Sequence, residues 1–356
     1  MEDSISTDRI GSETVKASRA PPSPVGNLSS DVQTDTIICV DALTGLKRLS
    51  NESIDCVMTS PPYWSLRNYG VKPTDWPDGS RCALGLEANC ADYVSHLCDI
   101  FDDVFRVLKS SGTLWVNLGD SYANSGATVV QTRSTNADPK VLRKSLCLIP
   151  ERFALAMVRR GWILRNRIVW RKPNHMPSSA KDRFTNSWEH LFLFVKSQKY
   201  HFDLDAVRMP HTTSTPKTAR NPPKIRRSNS VGGRRLPPHG AMPGARHPNG
   251  KNPGDVWLIP TTPTKHAHIA AYPERLCERP ILAGCPKGGV VLDPFMGSGT
   301  TAVVAQRMGR RFLGFEINPE YVKKARARVR DSQSSTHSIH LKGGGDTFIH
   351  NGKKDN

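Results

Sequence analysis

The chain contains no Cys-x-x-Cys pair. Its eight cysteines are scattered through 356 residues. That excludes a zinc ribbon or a disulfide frame, and it fits reduced, buried thiols in a cytoplasmic protein. No apolar run approaches eighteen residues, so no membrane span is expected. The N-terminal stretch MEDSISTDRIGSETVKAS has no apolar h-region and does not read as a secretory signal. Acid is scarce: 32 Asp and Glu face 50 Lys and Arg, a net charge of +18. The excess says little about fold but favours a polyanionic partner. Apolar residues make up 37% of the chain, enough for a sizeable core. At about 150 residues per domain, the length allows roughly two. His266 and His268 stand two apart with no third ligand spaced to help, so no metal is expected.

Residues 1–33 are rich in Ser, Thr, Asp and Pro and read as a tail, as do residues 332–356. Between them, short apolar runs alternate with helical patterns. Strands are expected at Thr36–Val40, ending at Asp41, at Ile54–Thr59 and at Thr113–Leu118. Further strands are expected at Trp162–Leu164, Arg167–Trp170 and Leu191–Val195. Apolar residues at Tyr93, Val94, Leu97, Phe101, Val104 and Leu108 predict a helix over 92–109, stopped by Ser111-Gly112. Pro150 opens another helix and Gly161 closes it. Strands alternating with helices imply an α/β fold with a mainly parallel sheet covered on both faces.

Residues 206–252 break this pattern. They hold ten Lys or Arg, no Asp or Glu, eight Pro, five Gly and no Phe, Trp or Tyr. Such a stretch cannot build a core. It is either a solvated insertion or a loop that orders on nucleic acid through phosphate contacts, and composition does not choose between them.

Two turns carry chemistry. Gly289–Leu292 reads as a strand, followed by Asp293-Pro294-Phe295-Met296-Gly297-Ser298-Gly299-Thr300-Thr301. A helix to Met308 comes next, then a second strand, Arg311–Phe315, that delivers Glu316. In this βαβ unit the glycines let the backbone lie close to a ligand, and an acid ending the next strand suits a ribose diol. Asp293 ahead of the turn repels phosphate but can pair with an ammonium or sulfonium group, which tilts the cofactor toward S-adenosylmethionine. The other turn is Ser60-Pro61-Pro62-Tyr63 at the end of a strand. Its prolines stop the sheet and stiffen the chain. The Ser60 hydroxyl and the Pro61 carbonyl can accept the two hydrogens of an exocyclic amine, and Tyr63 can stack on a planar base. The bland alternative is a strand-to-loop turn with a core tyrosine. Position favours the ligand, because ligands of open α/β sheets sit at the carboxyl ends of strands.

These residues resemble the amino-methylating DNA methyltransferases, in particular the subgroup whose catalytic motif precedes its cofactor motif. The resemblance covers most of residues 36–330, less the basic insertion. It implies a Rossmann-like, S-adenosylmethionine-dependent methyltransferase sheet with helices on both faces. Residues 34–205 would form its catalytic part and 253–331 its cofactor-binding part. Ser60, Pro61, Pro62 and Tyr63 match the catalytic tetrapeptide. Asp293, Phe295, Gly297, Gly299 and Thr300 match the cofactor turn, and Glu316 matches the ribose acid. Asp41 stands where the family places an acid near adenine, and His268, Ala270 and Tyr272 match a flanking cofactor motif. Leu84–Glu87, Asn117–Asp120 and Trp170–Asn174 also look like family segments. The family's variable target-reading region would then hold the insertion, which makes Arg220, Lys224, Arg226, Arg227, Arg234 and Arg235 expected DNA contacts.

The expected partner is duplex DNA, with room for a cognate restriction endonuclease. Family members with Ser at the first catalytic position mostly methylate cytosine N4, and those with Asp or Asn mostly adenine N6. Cytosine N4 is therefore the expectation, with adenine N6 on the same scaffold and a non-catalytic DNA-binding relic as alternatives. An RNA or protein methyltransferase is a third. No Pro-Cys dipeptide of the kind used for ring-carbon methylation occurs, so no covalent intermediate is expected. Among the other side chains, Trp64 and Tyr69 are second candidates for stacking. Arg67, Arg165, Arg167, Arg171 and Lys172 are candidate phosphate contacts.

Overall fold

The computed structural model describes residues 33–123, 141–142, 144–211, 247–262 and 271–340, with the side chains of the last seven left out. The chain forms β1 (Thr36–Cys39), α1 (Ala42–Lys47), β2 (Ile54–Thr59), β3 (Thr74–Asp75), β4 (Arg81–Cys82), α2 (Cys90–Val107) and β5 (Leu108–Leu118). It continues with α3 (Ile149–Arg159), β6 (Ile163–Arg171) and β7 (Trp188–Val195). Beyond the basic region come β8 (Val256–Leu258), α4 (Glu274–Gly284), β9 (Val290–Asp293), α5 (Thr300–Arg307), β10 (Arg311–Glu316) and α6 (Pro319–His340).

Eight strands form one sheet in the order β1-β10-β9-β2-β5-β7-β6-β8, and β3 pairs with β4 in a separate ribbon. Within the large sheet every pairing is parallel except the two made by β7. From β2 the next strand to join this sheet is β5, on one side; from β9 it is β10, on the other. Because β2 and β9 are neighbours, with Val57 opposite Leu292, the switch point of the sheet falls between them. A crevice opens there beyond the carboxyl ends of the strands. Right-handed crossovers running in opposite directions send their helices to opposite faces. Accordingly α1, α2 and α3 bury Leu46, Tyr93, Phe101 and Phe153 on one face, against Phe192 and Phe194 of β7. Helices α4, α5 and α6 bury Leu276, Val304 and Val322 on the other, in the cluster that holds Met58, Trp115 and Phe312.

The expected strands and helices appear, with instructive shifts. Helix α2, capped by the Asn89 side chain on the Ala91 and Asp92 N–H groups, ends at Val107 and not at Lys109. Leu108 is already extended and pairs with Ile54, and a register shift follows before Cys56 meets Thr113. Gly112 belongs to this irregularity: a Cβ there would lie 2.6 Å from Leu108 and 2.9 Å from the Asp55 carbonyl. The two strands expected within 162–170 are one strand, β6, with an irregularity between Leu164 and Asn166. Helix α6 runs past Ser332, where composition suggests a tail, to His340. Residues 1–32 and 341–356 of the expected tails lie outside the described residues, as do His266, His268, Ala270 and the six expected DNA contacts from Arg220 to Arg235. The flanks of the basic region are described and meet: Met209 bridges Lys251, and the His211 ring lies 3.1 Å from the His247 carbonyl. No helix among the described residues is long and apolar enough to cross a membrane.

The β3–β4 ribbon is pinned by His96 of α2. The imidazole is buried and stacks flat on Trp76, with ring centroids 4.2 Å apart. Its Nδ1 lies 3.1 Å from a Glu87 oxygen and its Nε2 3.0 Å from an Asp78 oxygen. Burial pulls its pKa down, but the hydrogen bonds and charges of Glu87 and Asp78 outweigh that and leave it above the ordinary value. A group whose folded pKa is raised stabilises the fold fully below its unfolded value, about 6.5 for histidine, and that contribution is lost as pH rises through the folded value. Thermal scans should therefore show Tm falling more steeply above about pH 6.5 in the wild type than in His96→Gln. Parallel slopes would remove this imidazolium from the account.

Candidate active site

Strand β2 ends at Thr59. The two prolines that follow cannot continue its ladder, and they carry the chain out of the sheet toward the crevice. The turn is braced from several sides. Tyr93 donates its hydroxyl to the Pro62 carbonyl at 2.8 Å, and the Trp64 indole N–H donates to the Glu87 carbonyl at 3.0 Å. Ser65 N–H donates to the Gly85 carbonyl at 2.8 Å. Gly85 has φ +91°, and a Cβ there would lie 3.1 Å from the Tyr63 carbonyl oxygen. The Leu84–Glu87 segment thus acts as a clamp on the turn. Trp64 packs against the core, and Tyr69 lines the cavity.

Tyr63 lies against Gly119, where a Cβ would come within 2.6 Å of its ring. Its hydroxyl donates to a Glu189 oxygen at 2.8 Å and lies 3.1 Å from the Asn117 side-chain oxygen. Asn117 is held in turn by its amide, which donates to the His190 carbonyl at 2.9 Å. The other Glu189 oxygen pairs with the Lys172 ammonium, which sits 4.4 Å from the centre of the Trp170 ring. Burial, and then the charge of Glu189, push the Tyr63 phenol well above its usual range, so it stays neutral and donates.

The second turn leaves β9 at Asp293. Gly297 and Gly299 both have positive φ, and Gly299 N-caps α5. A Cβ on Gly299 would lie 3.0 Å from Ala325 of α6, so this glycine lets two helices close. Glu316, at the end of β10, accepts the Gly297 and Asn318 N–H groups, each at 2.8 Å, and burial raises its pKa. Thr300 accepts from Arg328 at 2.9 Å. Asp41 caps α1 through the Thr44 N–H.

The two turns share one cavity of about 650 Å³. Ser60, Pro61, Pro62 and Tyr63 line it on one side. Phe295, Gly297, Thr300 and Glu316 line it on another, with Asp41 and Tyr272 between. Gly299 and Asp293 are not on its wall. The expectation that the Asp293 carboxylate faces the pocket needs correction. Asp293 is completely buried. One oxygen accepts from Thr59 at 2.6 Å and from the Phe295 N–H at 3.0 Å; the other accepts from Thr301 at 2.7 Å and from Tyr272 at 3.0 Å. Burial raises its pKa against the pull of these four donors. The residue ties the turns together and has no oxygen turned toward a ligand.

Sequence reasoning missed Glu189 and took Lys172 for a phosphate contact. A lone acid opening an otherwise apolar strand, Trp188-Glu189-His190-Leu191, was the available signal. Of the arginines, Arg67 lines the cavity, while Arg165 donates to the Tyr200 hydroxyl at 3.0 Å, away from it. One group of metal-ligand type, Cys82, Glu87 and His96, does lie within 4.8 Å. Its Glu87 oxygens and His96 nitrogens are already committed to the hydrogen bonds of the β3–β4 ribbon and to the Gly85 N–H.

The sheet, its switch-point crevice and the two turns define a methyltransferase of the S-adenosylmethionine-dependent fold. A family model described as DNA methylase, covering the N6 and N4 amino-methylating enzymes, matches residues 54–327. The chain belongs to this family of DNA methyltransferases. It is 38% identical over 312 residues to the Type II methyltransferase M.SmaI of Serratia marcescens, covering 85% of this chain and 93% of that one. In fold it is similar to the PvuII DNA methyltransferase (cytosine-N4-specific), with a TM-score of 0.57 at 20% identity over 87% of this chain and 94% of that one. It is also similar to a DNA modification methylase of Thermus thermophilus, TTHA0409, in complex with S-adenosyl-L-methionine. There the TM-score is 0.50 at 23% identity, covering 83% of this chain and 93% of that one.

The corrected role of Asp293 makes a prediction. Asp293→Ala strands four buried donors, so the denaturant midpoint should fall by an amount worth on the order of 3 kcal/mol, and cofactor binding should fall with it. A carboxylate that merely touched ligand would leave the midpoint within about 0.5 kcal/mol of wild type.

Proposed function

We propose that this protein transfers a methyl group from S-adenosylmethionine to the exocyclic N4 of a cytosine flipped out of duplex DNA, within a Type II modification system. The observation that carries the reading is the shared cavity: the Ser60–Tyr63 turn and the Asp293–Thr301 turn leave adjacent strands and face one space. The residues suit the cofactor. Glu316 offers a buried carboxylate at a strand end for a diol, and the Gly297 backbone presents no side chain against a ligand. When bound, S-adenosylmethionine supplies an electrophilic methyl carried on a sulfonium.

The chain's own residues do the rest. An exocyclic amine shares its lone pair with the ring and is a poor nucleophile. The Ser60 hydroxyl and the Pro61 carbonyl accept its two hydrogens and draw them from the ring plane, so the lone pair localises on nitrogen and points at the methyl. Tyr63, fixed by Glu189 and Asn117, offers its ring as a stacking face. Stacking there offsets part of the cost of taking the base out of the duplex. Positioning and fixed dipoles carry the acceleration. The extra proton leaves for solvent after transfer. The neutral Ser60 hydroxyl at the head of the turn is what favours cytosine over adenine.

Nucleoside analysis of DNA exposed to the protein tests the reading, and N4-methylcytosine is the expected product. N6-methyladenine alone would replace cytosine by adenine, and no modified nucleoside would favour a binding relic. The basic region is the proposed DNA-reading element, through Arg220, Lys224, Arg226, Arg227, Arg234 and Arg235. Its flanks meet at His211 and His247, so residues 212–246 can be replaced by a short Gly-Ser link. That variant should bind duplex DNA more weakly and with a flatter salt dependence. An unchanged slope would place DNA contact elsewhere.

A further inference from the structure

We propose that Phe184, with Met176 on the same loop, is an apolar wedge that enters the base stack of the duplex and occupies the gap left by the flipped base. The proposal rests on the reading above and adds the element that opens the duplex. Residues 172–187 join β6 to β7. Asn174, His175 and Met176 near the start of this loop, and Asn186 near its end, line the cavity, so the loop forms a lip of the mouth.

The lip is braced. Asn174 exchanges two hydrogen bonds with the backbone of Thr261, at 2.9 and 2.8 Å. Asn186 accepts from the Tyr122 hydroxyl at 3.2 Å, and the Arg183 guanidinium lies 4.0 Å from the centre of the Tyr122 ring. Asp182, the one acid of the loop, pairs with Lys144 at 2.7 Å. Yet on this braced backbone Phe184 is 96% exposed and Met176 87%, the two most exposed large apolar side chains among the described residues. The fold gains nothing from either side chain in water. Around them stand Lys172, Lys181 and Arg183. Apolar tips within a cationic rim complement a partner with anionic edges and an apolar, layered interior, which is duplex DNA; apolar side chains inserted between base steps are a recurrent way to unstack it. The site is placed for this, since the same lip borders the cavity that must receive the base.

A wedge is needed only while the target base is paired and stacked. The test uses the full-length protein and two duplexes carrying the mapped target cytosine, one paired with guanine and one mismatched. Phe184→Ala should lower kcat/KM on the paired duplex by about tenfold or more, with a change under about threefold on the mismatched one. Phe184→Leu should recover most of the paired-duplex rate. Equal losses on both duplexes, or no loss on the paired one, would overturn the wedge. If the wild-type protein methylated neither duplex, the fault would lie with the functional reading and not with Phe184.

Discussion

A single buried carboxylate determines whether this protein has a cleft at all. Asp293 receives donors from four segments: Thr59 at the end of β2, Tyr272 ahead of α4, Phe295 in the turn and Thr301 in α5. Burying a carboxylate is costly unless its lone pairs are occupied, and hydrogen bonds to an ionised acceptor are the stronger kind. The network therefore tolerates little rearrangement. Thr59 directly precedes Ser60, and Thr301 lies within the first turn of α5, so fixing Asp293 fixes both turns against each other. Two stretches 234 residues apart are joined by a side chain–side chain bond of 2.6 Å. Parallel pairing of β2 with β9 gives them a common edge, and Asp293 sets their spacing along it.

The charge of the molecule is divided in a way that follows from this frame. The chain as a whole carries +18, and a segment at its periphery supplies ten of those charges with no acid. The cavity wall, in contrast, carries Asp41, Glu189 and Glu316. A basic exterior draws in a polyanion, while carboxylates within a partly closed, low-dielectric space favour a cationic small molecule and disfavour a phosphate. These opposite preferences are compatible because they act at different places.

Much of this was legible in the sequence. Strands β2, β9 and β10 are short apolar runs that end on residues of unusual chemistry, and buried strands of a parallel sheet read that way. Both turns could be placed because prolines and glycines punctuate the chain at the strand ends. Other features left no such mark. Helix α1 spans six residues, too few for a period to show. Helix α4 carries Pro280 in its interior and four charged residues, which masks its apolar face of Leu276, Cys277 and Ile281. The destination of Asp293 was hidden for a different reason. Its position ahead of a glycine turn suggests a ligand, but what surrounds a carboxylate depends on side chains distant in sequence. Thr59 and Thr301 look like ordinary strand and helix residues until the strands pair.

The reversed strand β7 explains how Glu189 reaches the cleft. In a wholly parallel sheet, residues near the start of a strand lie at the edge away from the crevice. Strand β7 runs antiparallel to β5 and β6, so its first residues sit beside their last ones: His190 opposite Leu118, and Glu189 opposite Trp170. The reversal brings an acid from the start of β7, an amide from the end of β5 and an ammonium from just beyond β6 to the hydroxyl of Tyr63. It also turns the connection between β6 and β7 into a loop at the crevice edge, where a crossover would have carried the chain back across a face of the sheet. The antiparallel strand therefore supplies both the inner wall that anchors Tyr63 and the outer lip that presents Phe184.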